Sequence, residues 1–199
     1  MLDVEVVSRE NKYKLRQYID LLIKWNKAIN LVSSNSIKDI ERRHILDSIQ
    51  LLNYIEKKDI SVLDLGSGAG LPGVVLSICG IKKMVLVESD ERKAAFLLQA
   101  SKISPELIEI KNSRAETLPA DSYDVVVSRA FADLSSILNY CRNIEVKEKF
   151  LLLKGKTYEE EIIQARKHWL FKVKIHDSIT SIEGKILEIT NLKPHTHER

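Results

Sequence analysis

The segment Val62-Leu63-Asp64-Leu65-Gly66-Ser67-Gly68-Ala69-Gly70-Leu71-Pro72-Gly73 constrains this chain more than any other. A short apolar run ends in an acid. Three glycines then alternate, and an apolar helical pattern follows. Glycine reaches φ > 0 without a Cβ clash, so the backbone can turn sharply and admit a ligand closely. Such a turn also aims the free N–H groups of the next helix at whatever lies above it. Pro72 suits a helix start, where its missing N–H removes a donor that would have no partner. A tight strand–helix turn that binds nothing would look similar, so a second signal is needed. Met84-Val85-Leu86-Val87-Glu88 supplies it. This second apolar run also ends in an acid, about twenty residues past the glycines, where the second strand of a nucleotide-binding unit meets ribose hydroxyls.

The rest of the chain supports an alternating architecture. Strand-like runs are expected at 61–65, 84–88, 107–111, 123–128, 150–153, 169–176 and 185–190. Helices are expected at 71–78, 91–102, 134–142 and 157–167. Strand–helix repetition implies a parallel sheet covered on both faces. Right-handed crossovers then put all strand C-termini on one rim. The last two runs leave no room for a helix, so a hairpin through 181–184 should make the final strand antiparallel. Before the glycines, 9–31 and 36–57 read as two amphipathic helices, the second capped by Ser36. With no strand of their own, they form a helical cap over the sheet edge. The expected organisation is an N-terminal cap, 1–58, followed by a compact unit, 59–199. Tyr13, Trp25, Trp169 and Phe171 are expected in the core rather than as base-stacking platforms.

Composition narrows the class. The 199 residues carry a net charge of +3. Positive charge gathers in 1–58 and 145–175, flanking the more acidic glycine-rich unit. Nucleic-acid binding is thus allowed but not demanded. Two cysteines, Cys79 and Cys141, are too few for a disulfide framework. The acidic start is unlike a signal peptide. No apolar run approaches membrane-spanning length. A soluble, cytoplasmic, monomeric protein is expected, with no membrane association.

The spacing at 64–70 is G-x-G-x-G rather than the pyrophosphate-binding G-x-G-x-x-G. It resembles the first motif of S-adenosylmethionine-dependent methyltransferases. On that reading Asp64 bonds either the turn amides or the ligand's amino group. Gly66 and Gly68 shape the turn, and the Glu88 carboxylate accepts from both ribose hydroxyls. Ala115 and Glu116 face the adenine. Arg129 ends the fourth strand in Ser128-Arg129-Ala130-Phe131 and would hold a methionine carboxylate or an RNA phosphate. Neither the Asn/Asp-Pro-Pro-aromatic motif of amine methylation nor the Pro-Cys of carbon methylation stands there. An acceptor needing neither deprotonation nor covalent attack, such as guanine N7, is favoured. The protein then chiefly positions two reactants.

On the second helix His44, Asp47 and Ser48 fall at i, i+3 and i+4 and share a face. That face either packs the cap against the sheet or closes over the cofactor or target base. His44, Asp47 and Arg129 are the catalytic candidates. No third and fourth metal ligand accompanies His44 and Asp47, so no metal is expected. Arg42, Arg43, Lys154 and Lys156 are the candidate phosphate contacts.

Seven motifs in order carry a closer resemblance: Trp25-Asn26 with Asn30-Leu31; Arg43-His44-x-x-Asp47-Ser48; the glycine segment; Arg92-Lys93-x-x-Phe96-Leu97; Arg114-Ala115-Glu116; Ser128-Arg129-Ala130-Phe131; and Leu153-Lys154-Gly155. From about 13 to 165 the chain resembles the bacterial glucose-inhibited division protein B (GidB) family. The resemblance implies a Rossmann-like class I methyltransferase fold with a seven-stranded sheet. It implies methyl transfer from S-adenosyl-L-methionine, leaving S-adenosyl-L-homocysteine, to N7 of a guanine in the decoding-region loop of 16S ribosomal RNA. It also makes Gly66, Leu71, Ala115, Glu116 and Arg129 cofactor contacts. A methyltransferase for another RNA or a small molecule is the alternative.

Overall fold

The computed structural model describes residues 7–195. Seven strands form one sheet: β1 (Ser61–Leu65), β2 (Lys83–Val87), β3 (Leu107–Lys111), β4 (Asp121–Arg129), β5 (Ile144–Lys154), β6 (Trp169–Asp177) and β7 (Lys185–Pro194). Their order is β3-β2-β1-β4-β5-β7-β6. Neighbours among β1 to β5 pair in parallel. β7 is antiparallel to both β5 and β6. The final strand thus threads between two earlier ones. The order reverses between β1 and β4, the place where ligands settle on such sheets.

Alternate side chains of each buried strand divide between two cores. Val62, Met84, Val125 and Leu151 face one side; Leu63, Val126, Leu152 and Leu187 face the other. On the first side lie α1 (Arg9–Asn26), α4 (Gly73–Ile78) and α5 (Glu91–Ala100); on the second lie α6 (Leu134–Tyr140) and α7 (Tyr158–Ala165). The N-terminal helices therefore lie on a face rather than at the sheet's edge. Their Leu15, Tyr18, Leu22, Ile45 and Ile49 share one continuous core with the sheet.

Local chemistry explains these elements. Ser8 caps α1, its Oγ accepting from the Asn11 N–H at 3.1 Å. Inward positions Leu15, Tyr18, Ile19 and Leu22 recur at helical spacing and are buried. Tyr13 falls off that stripe and is 64% exposed, so it is not core. Trp169 is buried, while Trp25 packs edge-on against Phe96 at 5.7 Å between ring centroids. Asn26 closes the turn after α1, its Oδ1 accepting from the amides of Leu31 and Val32.

The second helical stretch departs from the regular helix its periodicity suggests. A short α2 (Ser34–Ile37) precedes a π-helical turn (Glu41–Leu46), one α turn, α3 (Asp47–Ile49), and a 3-10 segment (Gln50–Tyr54). The N-cap residue of α2 is Ser33, not Ser36, which sits inside the turn with its hydroxyl on the Ser33 carbonyl. π turns widen a helix by one residue and occur often where a side chain must be re-aimed. Here the widened turn carries Arg43 and His44.

Asp64 lies beneath the glycine turn. Its Oδ2 accepts from the Gly73 N–H, the start of α4, at 2.9 Å. This close approach requires glycine. A Cβ at Gly73 would stand 2.6 Å from Asp64 Oδ2 and 2.3 Å from Leu86 Cδ2. Gly73→Ala should therefore lower stability by about 1–3 kcal/mol, the scale of an overpacked core. Urea unfolding checks this; a variant as stable as the parent would mean α4 can shift freely away from β1.

Candidate functional site

Two loops meet above the reversal point. Ser128 Oγ donates to the Leu65 carbonyl at 2.9 Å, locking the ends of β1 and β4 together. Gly66 then turns with φ +67°, and the Phe131 ring fills the space a side chain would need, 2.1 Å from an added Cβ. Phe131 in turn stacks near Tyr140, 5.8 Å between centroids. The N-terminal layer reaches the same turn: the buried Tyr18 hydroxyl donates to the Ala69 carbonyl.

Around these loops opens a cavity of about 630 Å³. Its wall includes Gly66, Gly68, Leu71, Glu88, Ala115, Glu116 and Arg129. Seven of the eight predicted cofactor residues thus gather at one place. The exception is Asp64, which is wholly buried under the turn and supports it from below. Of the two roles left open for it, bonding the turn amide is the one the structure shows. Burial away from water pushes its carboxyl up to about 7, against the bond from Gly73.

Glu88 joins the second strand to the turn. Its Oε2 accepts from Gly68 N–H and its Oε1 from Asp90 N–H, each at 2.8 Å. A carboxylate has about four acceptor sites, so two remain for a ligand. Sequence reasoning missed the other side of the cavity. Leu31, Val32, Ser33 and Ser36 line it, brought there by the Asn26 turn. That turn was visible as a polar break and as the motif Trp25-Asn26 with Asn30-Leu31, neither of which said that it borders a cavity.

Arg129 stands at the edge of this cavity, held by three groups. Nε pairs with Asp47 Oδ2 at 3.2 Å; Nη2 donates to Arg43 O at 2.9 Å and to His44 Nδ1 at 2.8 Å. A guanidinium only donates, so Nδ1 must accept and the His44 proton sits on Nε2. Desolvation, with the Arg129 and Arg43 charges beside it, lowers the His44 pKa to about 4. His44 is therefore neutral near pH 7, and its Nδ1 positions Arg129 rather than serving as a free base. Two donors in this cluster, Arg129 Nη1 and His44 Nε2, are buried without a partner. Unmet donors of this kind cost about 1–3 kcal/mol each, which a carboxylate ligand would recover.

The predicted phosphate contacts separate. Arg42, Arg43 and Lys156 are exposed. Lys154 is not available: its side chain is 7% exposed, its Nζ 2.7 Å from Glu161 Oε2 and bonded to the Ala132 carbonyl. The charge that looked like an RNA contact is a structural tie from β5 to α7. Among the described residues no group of three or more His, Cys, Asp or Glu could hold a metal, and no helix is long and apolar enough to cross a membrane.

Comparison with known proteins adds an independent line. The family model described as GidB, rRNA small subunit methyltransferase G, matches residues 11–190. The chain is 53% identical over 186 residues to the ribosomal RNA small subunit methyltransferase G of Rickettsia rickettsii, covering 94% of this chain and 97% of that one. It is 53% identical to the protein of that name in Rickettsia prowazekii, covering 90% and 93%. Among solved structures, magnesium protoporphyrin IX methyltransferase from Synechocystis, with S-adenosylmethionine bound, superposes with TM-score 0.60 at 14% identity, covering 94% of this chain and 99% of that one. A Pyrococcus horikoshii protein superposes with TM-score 0.62 at 14% identity, covering 86% and 99%. At that identity the structural likeness speaks for the fold.

The His44 geometry makes a pH prediction. Its folded pKa lies below the ordinary value of 6.5, so the fold needs the neutral ring. The stability it contributes is full above pH 6.5 and is lost as pH falls through about 4. Asp64 acts oppositely, losing stability as pH rises through about 7, but equally in both proteins of a His44 comparison. The stability difference between parent and His44→Gln should therefore shrink steadily from pH 7 to pH 4.5 in urea melts. A constant difference would show that the ring is not held neutral.

Proposed function

This chain belongs to the GidB family, rRNA small subunit methyltransferase G, and on that premise we propose that it methylates N7 of a guanine in 16S ribosomal RNA. S-adenosylmethionine is the methyl donor. The observation that carries the reading is the shared cavity over the β1–β4 reversal, where Gly68, Glu88, Glu116 and Arg129 converge.

The residues present fit that donor. The backbone at Gly68 is open, with nothing nearer to an added Cβ than the Gly66 carbonyl at 3.8 Å. Glu88 has acceptor capacity left for two ribose hydroxyls. Ala115 and Glu116 would flank the adenine, and the unpartnered Arg129 Nη1 would take the methionine carboxylate. When bound, S-adenosylmethionine supplies an electrophilic methyl on a sulfonium sulfur; the N7 lone pair forms the new bond as the carbon–sulfur bond breaks, with no proton lost.

That chemistry agrees with what the chain provides. A neutral His44 already committed to Arg129 is no general base, and this acceptor needs none. The protein holds two reactants in line, an effect that can reach about 7–11 kcal/mol. In this reading residues 1–58 form the cap, 59–199 the donor-binding unit, and Arg42, Arg43 and Lys156 meet RNA phosphates. The protein acts as a monomer in the cytoplasm, where its substrate lies.

Incubation with labelled donor and undermethylated small subunits, naked 16S rRNA or tRNA tests this. Label at guanine N7 of the small-subunit RNA is expected; label elsewhere, or on none, overturns the reading. The two lysines should also part. Lys156→Ala should weaken RNA binding without changing the melting temperature. Lys154→Ala should cost about 1–3 kcal/mol of stability, because it strands the Glu161 carboxylate. An RNA defect from Lys154→Ala in a fully stable protein would contradict the structural role.

A further inference from the structure

A second cavity, about 350 Å³, lies beside the first and shares Arg129, Ala130 and Ala132 with it. Its remaining wall comes from Asp47 on α3, from the end of β5 and the turn after it, from α7, and from the loop joining β6 to β7 with the first residue of β7. The size suits one nucleobase with room for its sugar. Bases that undergo chemistry are taken out of their stack and read on their Watson–Crick edge. A base here would lie next to the donor cavity, across Arg129 and Ala130.

The charged groups of this cavity are mostly committed. Asp47 pairs with Arg129 and accepts from Gln50 Nε2 and Thr180 Oγ1. Glu161 pairs with Lys154 and accepts from the Leu134 amide. Lys185 pairs with Asp177. Among the described residues this leaves Glu183, on the β6–β7 loop, as the carboxylate of the cavity that holds no ion pair or hydrogen bond. The loop is not adrift: Gln50 Nε2 donates to Ser178 Oγ, and Gln50 Oε1 accepts from the Ile179 N–H. These bonds fix the loop against the segment that holds Asp47.

A carboxylate offers two acceptor oxygens side by side. Of the four RNA bases, guanine alone presents two neighbouring donors on its Watson–Crick edge, N1–H and the exocyclic N2–H. N7 lies at the opposite end of the purine. A guanine gripped by that edge on the loop wall would turn N7 back toward the wall shared with the donor cavity. Resting on the proposed N7 reaction, we propose that Glu183 selects the acceptor guanine by accepting from its N1–H and N2–H in this second cavity. An exposed carboxylate is inexpensive to leave hydrated, but a base that covers it without supplying donors strands it, which is how such sites reject near-analogues.

The test compares parent, Glu183→Gln and Glu183→Ala on small subunits carrying guanosine or inosine at the modified position. Inosine keeps N7 and N1–H but lacks the N2 amino group. Methyl transfer, RNA binding without donor, and donor affinity by calorimetry are read separately. The parent should favour guanosine over inosine at least tenfold. Both variants should lose at least tenfold in kcat/KM on guanosine, bind RNA more weakly, keep the parent's donor affinity, and no longer tell the two bases apart. Variants within twofold of the parent that still discriminate would overturn the role of Glu183 and leave the N7 reading standing. A parent that forms no N7-methylguanine would remove both.

Discussion

The pairing of Arg129 with Asp47 holds the functional end of this molecule together. Arg129 comes from the end of a central strand, Asp47 from the helical segment that precedes the sheet, 3.2 Å apart. Burial works against the guanidinium charge, and the Asp47 carboxylate works for it. Removing either partner would leave the other's charge poorly solvated, the costly case for a buried pair. Around this contact the two cavities, the π turn and the β6–β7 loop fall into fixed relation. Asp47 reaches the loop through Thr180, and Arg129 reaches the π turn through His44 and Arg43. The site is thus assembled from segments more than eighty residues apart.

Much of this was legible in the residues. The glycine turn, the acid that supports it, and Glu88 twenty residues later marked one side of the first cavity, because backbone turns and strand ends are local features. The seven strands were equally plain, since period and turn chemistry travel with the chain. The π turn was not legible. Its apolar residues from Ile37 to Ile55 read as one helix face, and the partner that meets the Arg43 carbonyl and the His44 ring in the widened turn, Arg129, lies more than eighty residues away in sequence. The cavity wall at Leu31–Ser33 escaped notice for a related reason: a polar break says that a helix stops, not where the chain goes next.

Lys154 shows the limit of reading charge from position. It ends β5 beside Gly155 and Lys156, on the rim where phosphates would be met. Its neighbour Lys156 is exposed, yet Lys154 is turned inward onto Glu161. Lys154 is the last residue of β5, whereas Lys156 lies in the turn beyond it, and the carboxylate that holds Lys154 sits on a helix that the linear pattern does not bring near. Asp64 is a similar case. Its place in the motif suggested ligand contact, but the strand's alternation directs it to the face that carries α4, where it meets the Gly73 amide.

The threading of β7 between β5 and β6 has a consequence for synthesis. As the chain leaves the ribosome, β1 to β5 can pair as soon as each emerges, but β6 has no neighbour in the sheet except β7. The hydrogen-bonding edge of β5 stays bare, and β6 stays unpaired, until residues 185–194 are clear of the exit tunnel. The sheet is therefore completed by the last of its seven strands to be translated. A nascent chain stalled before that point carries an open strand edge, the kind of surface that invites pairing with another chain.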